Sequence, residues 1–227
     1  AVGRPLPDQP SPTGGCQIPH DQYNAGFLDT SHYLGHPRVE VQVWAGDTMT
    51  HVIAVEETYT IVKPGNPFDI RANSINYFRR FGSTQTLCTW FGPVVLDSMN
   101  SSSETQSISN GSIAASRVSP KVAVAYTHQH AAGVANNQRY DVEVYFRRSD
   151  SIGESWAPPV NMTSYSRIEP SYTAFINTHS LFDSEDGYHI IWTASPTVEN
   201  VYGDPDYFWG DFSAGLYHWT DRVPGPN

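Results

Sequence analysis

Apolar and polar positions alternate over short stretches of the chain and rarely keep the spacing of a helix. Val39-Glu40-Val41-Gln42-Val43-Trp44 alternates strictly, the period of a strand with one covered face. Three near-continuous apolar runs fit strands covered on both faces: Val52-Ile53-Ala54-Val55-Glu56, Val122-Ala123-Val124-Ala125-Tyr126 and His189-Ile190-Ile191-Trp192-Thr193. Ser112 to Ser116 and Ser180-Leu181-Phe182 read, less clearly, as strands preceding the second and third runs. Ala45-Gly46-Asp47 and Asp186-Gly187 supply tight turns. With 17 Gly and 17 Pro as punctuation, long helices have little room, and the chain reads as all-β.

Self-similarity organises these strands. Tyr77-Phe78-Arg79-Arg80 recurs as Tyr145-Phe146-Arg147-Arg148 at an offset of 68. A looser copy, Leu216-Tyr217-His218-Trp219-Thr220-Asp221, follows at an offset of 71. Aligning Val55, Ala125 and Ile191 in the apolar runs gives spacings of 70 and 66. A further strand is expected from Trp90 in the first unit and from Trp156 in the second. Four antiparallel strands repeated at near-fixed spacing predict propeller blades.

The stretch Arg148-Ser149-Asp150-Ser151-Ile152-Gly153-Glu154-Ser155-Trp156 resembles the Asp-box (BNR) repeat of sialidase-like β-propellers. Ser149, Gly153, Ser155 and Trp156 fall in register with that motif; the Asp position holds Ser151, and Asp150 stands one place early. The resemblance covers about residues 39–222. It implies that Ser149, Asp150, Gly153 and Trp156 shape a turn between third and fourth strands, a structural role on the face opposite the family's ligand mouth. A sialidase would also need an arginine cluster, a Tyr nucleophile paired with Glu, and a general acid. Gln17-Ile18-Pro19 carries Gln where the family's Arg-Ile-Pro carries its substrate-binding arginine, which loses the bidentate clamp on a carboxylate. Arg222-Val223-Pro224 stands at the wrong end of the chain. Arg79, Arg80, Arg147 and Arg148 read mainly as cover for blade faces, paired with the excess acid. No catalytic residue is assigned.

The expected architecture is an open or partial propeller of about three four-stranded antiparallel blades, near 39–99, 108–165 and 172–222. Residues 1–38 read as an extended arm with room for one strand in 20–38, and 223–227 as a tail. Three blades do not close a ring. The chain is therefore expected to be part of a longer protein, an arc whose edges are covered by neighbouring subunits, or a propeller with a further blade in its N-terminal third. Long insertions near 63–74, 127–140 and 195–214 all fall between second and third strands, so all emerge on one face. That makes the face an expected contact surface. The last insertion carries Tyr202, Tyr207, Phe208 and Trp209, rings that stack on sugars, anchor protein interfaces or pack onto the blade beneath.

Charge narrows the partners. Thirteen Lys and Arg against 23 Asp and Glu give a net charge of −10 with no basic block, which excludes nucleic acid as the main ligand. No apolar run approaches the roughly 20 residues of a spanning helix, so no membrane insertion is expected. The first residues lack a basic-then-apolar leader, as a processed chain would. Few Lys and many Ser, Thr and Asn fit an extracellular or cell-surface setting. Cys16 and Cys88, the only cysteines, leave a disulfide and two separate thiols open as alternatives. Asn100, Asn110 and Asn161 begin N-x-S/T sequons.

No cofactor is expected. His128-Gln129-His130 lacks a third ligand at diagnostic spacing. Asp183, Glu185 and Asp186 form an acidic turn that would admit Ca²⁺ but lacks an EF-hand's ligand series, and Asp204-Pro205-Asp206 is similar. The expected function is a non-enzymatic extracellular module for protein binding or subunit assembly, with other subunits or copies of itself as partners. The alternative is a carbohydrate-active propeller, a lectin or degenerate glycosidase.

Overall fold

The computed structural model describes residues 31–60, 69–82, 90–98, 108–129, 142–164, 171–197 and 214–222. The fold is all-β, with three antiparallel sheets, none closed on itself, in an open propeller-like arrangement. The first sheet runs β1 (Ser31–Trp44), β2 (Asp47–Thr60), β3 (Asp69–Phe81) and β4 (Phe91–Ser98) in sequence order. The second runs β5 (Ile108–Ala115), β6 (Val122–Gln129), β7 (Val142–Ser149) and β8 (Val160–Asn161). The third holds β9 (Ser171–Phe182), β10 (Tyr188–Thr197) and β11 (Gly215–Thr220). β1 thus begins at Ser31, inside the stretch read as an arm. Ala45 (φ 52) and Gly46 (φ 83) turn it into β2 with two positive φ values, the turn whose twist matches a hairpin.

The sheets stack face to face through their apolar runs. Ile53, Ile75, Tyr77 and Leu96 of the first sheet meet Ile108, Ile113, Val122, Val124 and Tyr126 of the second. The opposite face of the second sheet, with Ala114, Ala123, Ala125 and Val144, meets Ala174, Tyr188, Ile190, Trp192 and Ala194 of the third. β6 is apolar from Val122 to Tyr126 because that part lies between two neighbours. Burying a large apolar side chain contributes about 1.5–3 kcal/mol, so each seam is a core in its own right. Ala114, Ala123 and Ala125 on the second sheet leave room for the large rings of the third, and Phe146 of β7 packs against Tyr188 and Trp219.

The two strings that mark the repeat behave differently. In an arc of like-oriented blades, equivalent positions must face the same way around it. Val55 pairs with Ile75 on the face toward the second sheet, and Ala125 lies toward the third. Ile191, alternating with Ile190 and Trp192, points away from the second sheet, so these three positions keep one sense. Tyr77 and Tyr145 do not: both lie in the seam between the first two sheets, facing it from opposite sides. Ile53, two residues before Val55, pairs with Tyr77, whereas Tyr126, one residue after Ala125, pairs with Tyr145, so the two hairpins differ by three residues in register, an odd number with the same effect on facing as one. A one-residue slip in register exchanges the faces of a strand. The Tyr-Phe-Arg-Arg match is therefore a likeness of sequence and not of position.

Candidate functional site

The turn resembling an Asp-box is built by serines. Ser149 Oγ, at the end of β7, accepts the amides of Ser151 (3.2 Å) and Gly153 (2.8 Å), and Ser151 Oγ accepts the amide of Ser155 (3.0 Å). Asp150 takes no part in this capping and pairs with Arg148 at 3.1 Å. The hydroxyl of Ser151 thus caps the amide that a carboxylate at the motif position would take. Gly153 has φ 77 and lies so close to the first sheet that a Cβ there would sit 2.7 Å from Tyr77 Cε1, and closer still to the hydroxyl. Trp156 packs edge-on against Tyr77, 4.8 Å between centroids at 71°.

A buried polar relay crosses the same seam. Gln42 Nε2 donates to the carbonyls of Ser116 (2.8 Å) and Ser119 (2.9 Å), with Lys121 at 3.4 Å. These acceptors fix the amide's orientation, so Gln42 Oε1 accepts from His51 Nε2–H at 3.2 Å. His51 Nδ1 then accepts the Tyr77 hydroxyl proton at 2.7 Å. Burial first, and the Arg79 charge second, bring the His51 pKa down to about 4, so the ring is neutral near pH 7. Burial likewise pushes the Tyr77 hydroxyl far above its usual range. Together with Gln42 the two side chains fasten the first sheet to the second.

The arginines are engaged as well. Arg79 donates to the Ile152 carbonyl (2.9 Å) and pairs with Glu154 (3.2 Å), both in the second sheet's turn. Arg147 reaches the other way to the carbonyl of Leu96, and within its own sheet donates to the carbonyls of Ala157 (2.7 Å) and Trp156 (3.3 Å). Arg148 lies 3.6 Å from Asp221, reaching the third sheet.

At the opposite end of the seam, where the insertions leave β6 and enter β7, a second cluster gathers. Asp97 Oδ2 accepts the Tyr126 hydroxyl (2.8 Å) and lies 2.8 Å from His128 Nδ1. Burial alone would raise the Asp97 carboxyl; His128, Tyr126 and the Ser98 amide outweigh it and hold the pKa below the ordinary range. Tyr145 donates to Glu143 at 3.3 Å, and Asn161 Nδ2 donates to Glu143 and to the Tyr145 hydroxyl. Burial, followed by Glu143, raises Tyr145 to about 12, so the phenol keeps its proton. Asn161, a sequon residue, spends its amide within this cluster.

The acidic turn belongs to the third sheet. Asp183 Oδ1 accepts the amides of Glu185 and Gly187, each at 2.9 Å, and Arg222 Nη2 at 2.7 Å. Glu185 pairs with the same Arg222. Asp186 pairs with Lys121 at 2.6 Å and accepts the Ser119 hydroxyl at 2.8 Å, which ties this turn to the second sheet. Its oxygens are thus directed at different partners. Among the described residues no group of three or more His, Cys, Asp or Glu side chains would hold a metal ion. Cys16, Cys88, Asn100, His130, Tyr202, Asp204, Asp206, Tyr207, Phe208 and Trp209 lie outside the described residues, as does most of the insertion face.

Sequence reasoning missed the outer faces of the stack. β1 turns Gln42 into the seam and Val39, Val41 and Val43 away from it, where they are 63%, 55% and 65% exposed. They share a face with Val52, paired with Val39, and with Ala54 and Phe78, on which Leu34 and Trp90 pack. The outer face of the third sheet exposes Leu181 (55%), Ile191 (39%) and Leu216 (73%). Both ends of the stack therefore expose apolar side chains, those of the third sheet interspersed with His179, His189 and His218.

No protein-family model matches the chain. No curated protein matches it. Among solved structures it is similar to the Hadza microbial sialidase Hz136, at 11% identity and a TM-score of 0.40 over 70% of this chain. The chain spans only 32% of that structure. A likeness this slight carries no argument about function. Among the described residues no helix is long and apolar enough to cross a membrane.

Proposed function

We propose that the chain is a non-enzymatic module for subunit assembly, in which the outer faces of the first and third sheets continue the stack onto neighbouring subunits. The inverted strand β1 carries this reading. An alternating strand ordinarily buries its apolar phase; here Gln42 is buried and three valines are left outside. The partner that fits is a second copy docked head to tail, its third sheet against this first sheet. That extends the mode already present in the two internal seams and sets the exposed valines of one copy against Leu181, Ile191 and Leu216 of the next. Such a contact closes a ring if the rotation allows and grows a filament if it does not. An extracellular setting is part of the proposal, on the strength of the Lys-poor, Ser-, Thr- and Asn-rich composition.

The use made of arginine supports assembly over recognition of an acidic sugar. Arg79 and Arg147 are tied to main-chain carbonyls, and Arg148 and Arg222 to carboxylates. Sedimentation velocity across a hundredfold range of concentration tests the proposal. The wild-type chain is expected to shift to larger species, and Val41→Lys to remain at the smallest. A single species at every concentration, or turnover of a fluorogenic glycoside, would overturn it.

A further inference from the structure

The outer face of the third sheet carries three histidines among its apolar side chains. His179 of β9 and His218 of β11 lie on either side of Ile191, and His189 of β10 stands between Leu181 and Thr220. His189 Nδ1 is 2.9 Å from His218 Nε2 with the ring planes 7° apart, so the two imidazoles share an in-line hydrogen bond. On the other side of its ring, His189 Nε2 lies 2.9 Å from Asp183 Oδ2. The carboxylate takes the Nε2 proton, so His189 Nδ1 is the acceptor and His218 Nε2–H the donor. A first extra proton goes to His218 Nδ1 and leaves this bond intact. A second has only His189 Nδ1 to go to, where it sets two N–H groups and two positive charges against each other.

We propose that these histidines make the head-to-tail contact pH-dependent, so that copies associate at neutral pH and separate on mild acidification. The inference rests on the assembly reading above and adds its regulation. In that contact the face is covered by Val39, Val41 and Val43 of the next copy, side chains that offer an imidazolium neither water nor a counter-charge. The acids at this corner are already engaged. Arg222 binds Asp183 at 2.7 Å and also Glu185, so it balances one of those two carboxylates. Asp186 and Asp221 pair with Lys121 and Arg148 of the second sheet. One extra proton on the His189–His218 pair balances the remaining carboxylate; a second, and a proton on His179, face apolar surface. The charged and titratable groups that β1, β2 and β3 of the next copy bring are His36 in the β1 bulge and, by alternation from Ala54 and Phe78, Glu56 and Arg80. Arg80 stands across Thr50 from Val41, the nearest of the three by register, and its charge disfavours an imidazolium further. Free copies therefore hold more protons than docked ones, and association weakens as pH falls. An imidazole ordinarily exchanges its proton between about pH 5 and 8. Each proton shed on docking weakens association by up to about tenfold per pH unit of acidification.

Sedimentation velocity at about pH 7.5 and about pH 5.5 tests this, with circular dichroism confirming the native fold at both. Wild-type association is expected to be weaker by about tenfold or more at the lower pH. The triple variant His179→Gln, His189→Gln, His218→Gln replaces the imidazoles of this face by neutral amides and is expected to weaken by less than about threefold. Calorimetric dilution in buffers of differing ionisation enthalpy gives a second readout: the wild type is expected to take up protons as it dissociates at about pH 6. Association equally strong at both pH values, dissociation without proton uptake, or a triple variant as acid-sensitive as the wild type would overturn the pH dependence and leave the assembly reading standing. No association at either pH would overturn both.

Discussion

Gly153→Ala tests the seam between the first two sheets at its tightest point. The added methyl meets two separate costs. At φ 77 an L-residue is disfavoured by about 1–2 kcal/mol whatever its surroundings. The Cβ would also overlap the Tyr77 ring, which cannot retreat: it is buried, packed on Trp156, and its hydroxyl is bonded to His51 at 2.7 Å. Overpacking of that kind costs about 1–3 kcal/mol. The total is about 2–5 kcal/mol. Gly46→Ala supplies the control, with φ 83 and nothing within 4 Å of its Cβ, so it bears only the backbone cost. Urea unfolding of the wild type and both variants separates the two contributions. Gly153→Ala is expected to lose about 1–3 kcal/mol more than Gly46→Ala, with a midpoint lower by about 1 M at a typical urea slope. Equal losses would mean that Gly153 does not lie against Tyr77, and the description of the seam would be wrong.

Three further outcomes follow from the same seam. Gln42→Leu strips the donor from two close carbonyls and the acceptor from His51, at a cost of about 2–4 kcal/mol by urea unfolding, since each buried polar group left unpaired costs about 1–3 kcal/mol. His51 makes stability depend on pH: its folded pKa near 4 lies below the ordinary 6.5, so the unfolded chain binds the extra proton between those values. Stability from this group is full above about pH 6.5 and falls by about 3 kcal/mol on acidification to pH 4; His51→Gln should flatten that part of a stability–pH curve measured by denaturant titration. Trp156 Nε1 is buried without a hydrogen-bond partner, so Trp156→Phe should cost under about 1.5 kcal/mol and Trp156→Ala about 3–5, compared by thermal melts.

The strands were largely legible because their period is local. Val122 to Tyr126 reads as a doubly covered strand, and β6 is one, lying between two sheets. The direction in which a strand faces was not legible. Which phase of Val39–Trp44 turns inward depends on the carbonyls of Ser116, Ser119 and Lys121, which no spacing in the sequence brings near Gln42. The phase difference between the hairpins of Tyr77 and Tyr145 is likewise a matter of pairing, invisible in two identical strings. The serine-capped turn carried a signal in Ser149, Gly153 and Trp156, whereas the contact of Gly153 with Tyr77 is long-range. His189 and His218 stand 29 residues apart and meet only through the register of β10 with β11.

Thiol labelling at position 41 tests the assembly account most directly. In a Val41→Cys variant, labelling of that residue is read by peptide mass spectrometry at rising protein concentration, with Cys16 and Cys88 followed separately. If the first sheet's outer face docks against another copy, labelling at position 41 slows as concentration rises, and added wild-type protein slows it further. A rate that stays constant over the range in which larger species sediment would place the contact elsewhere and contradict the account.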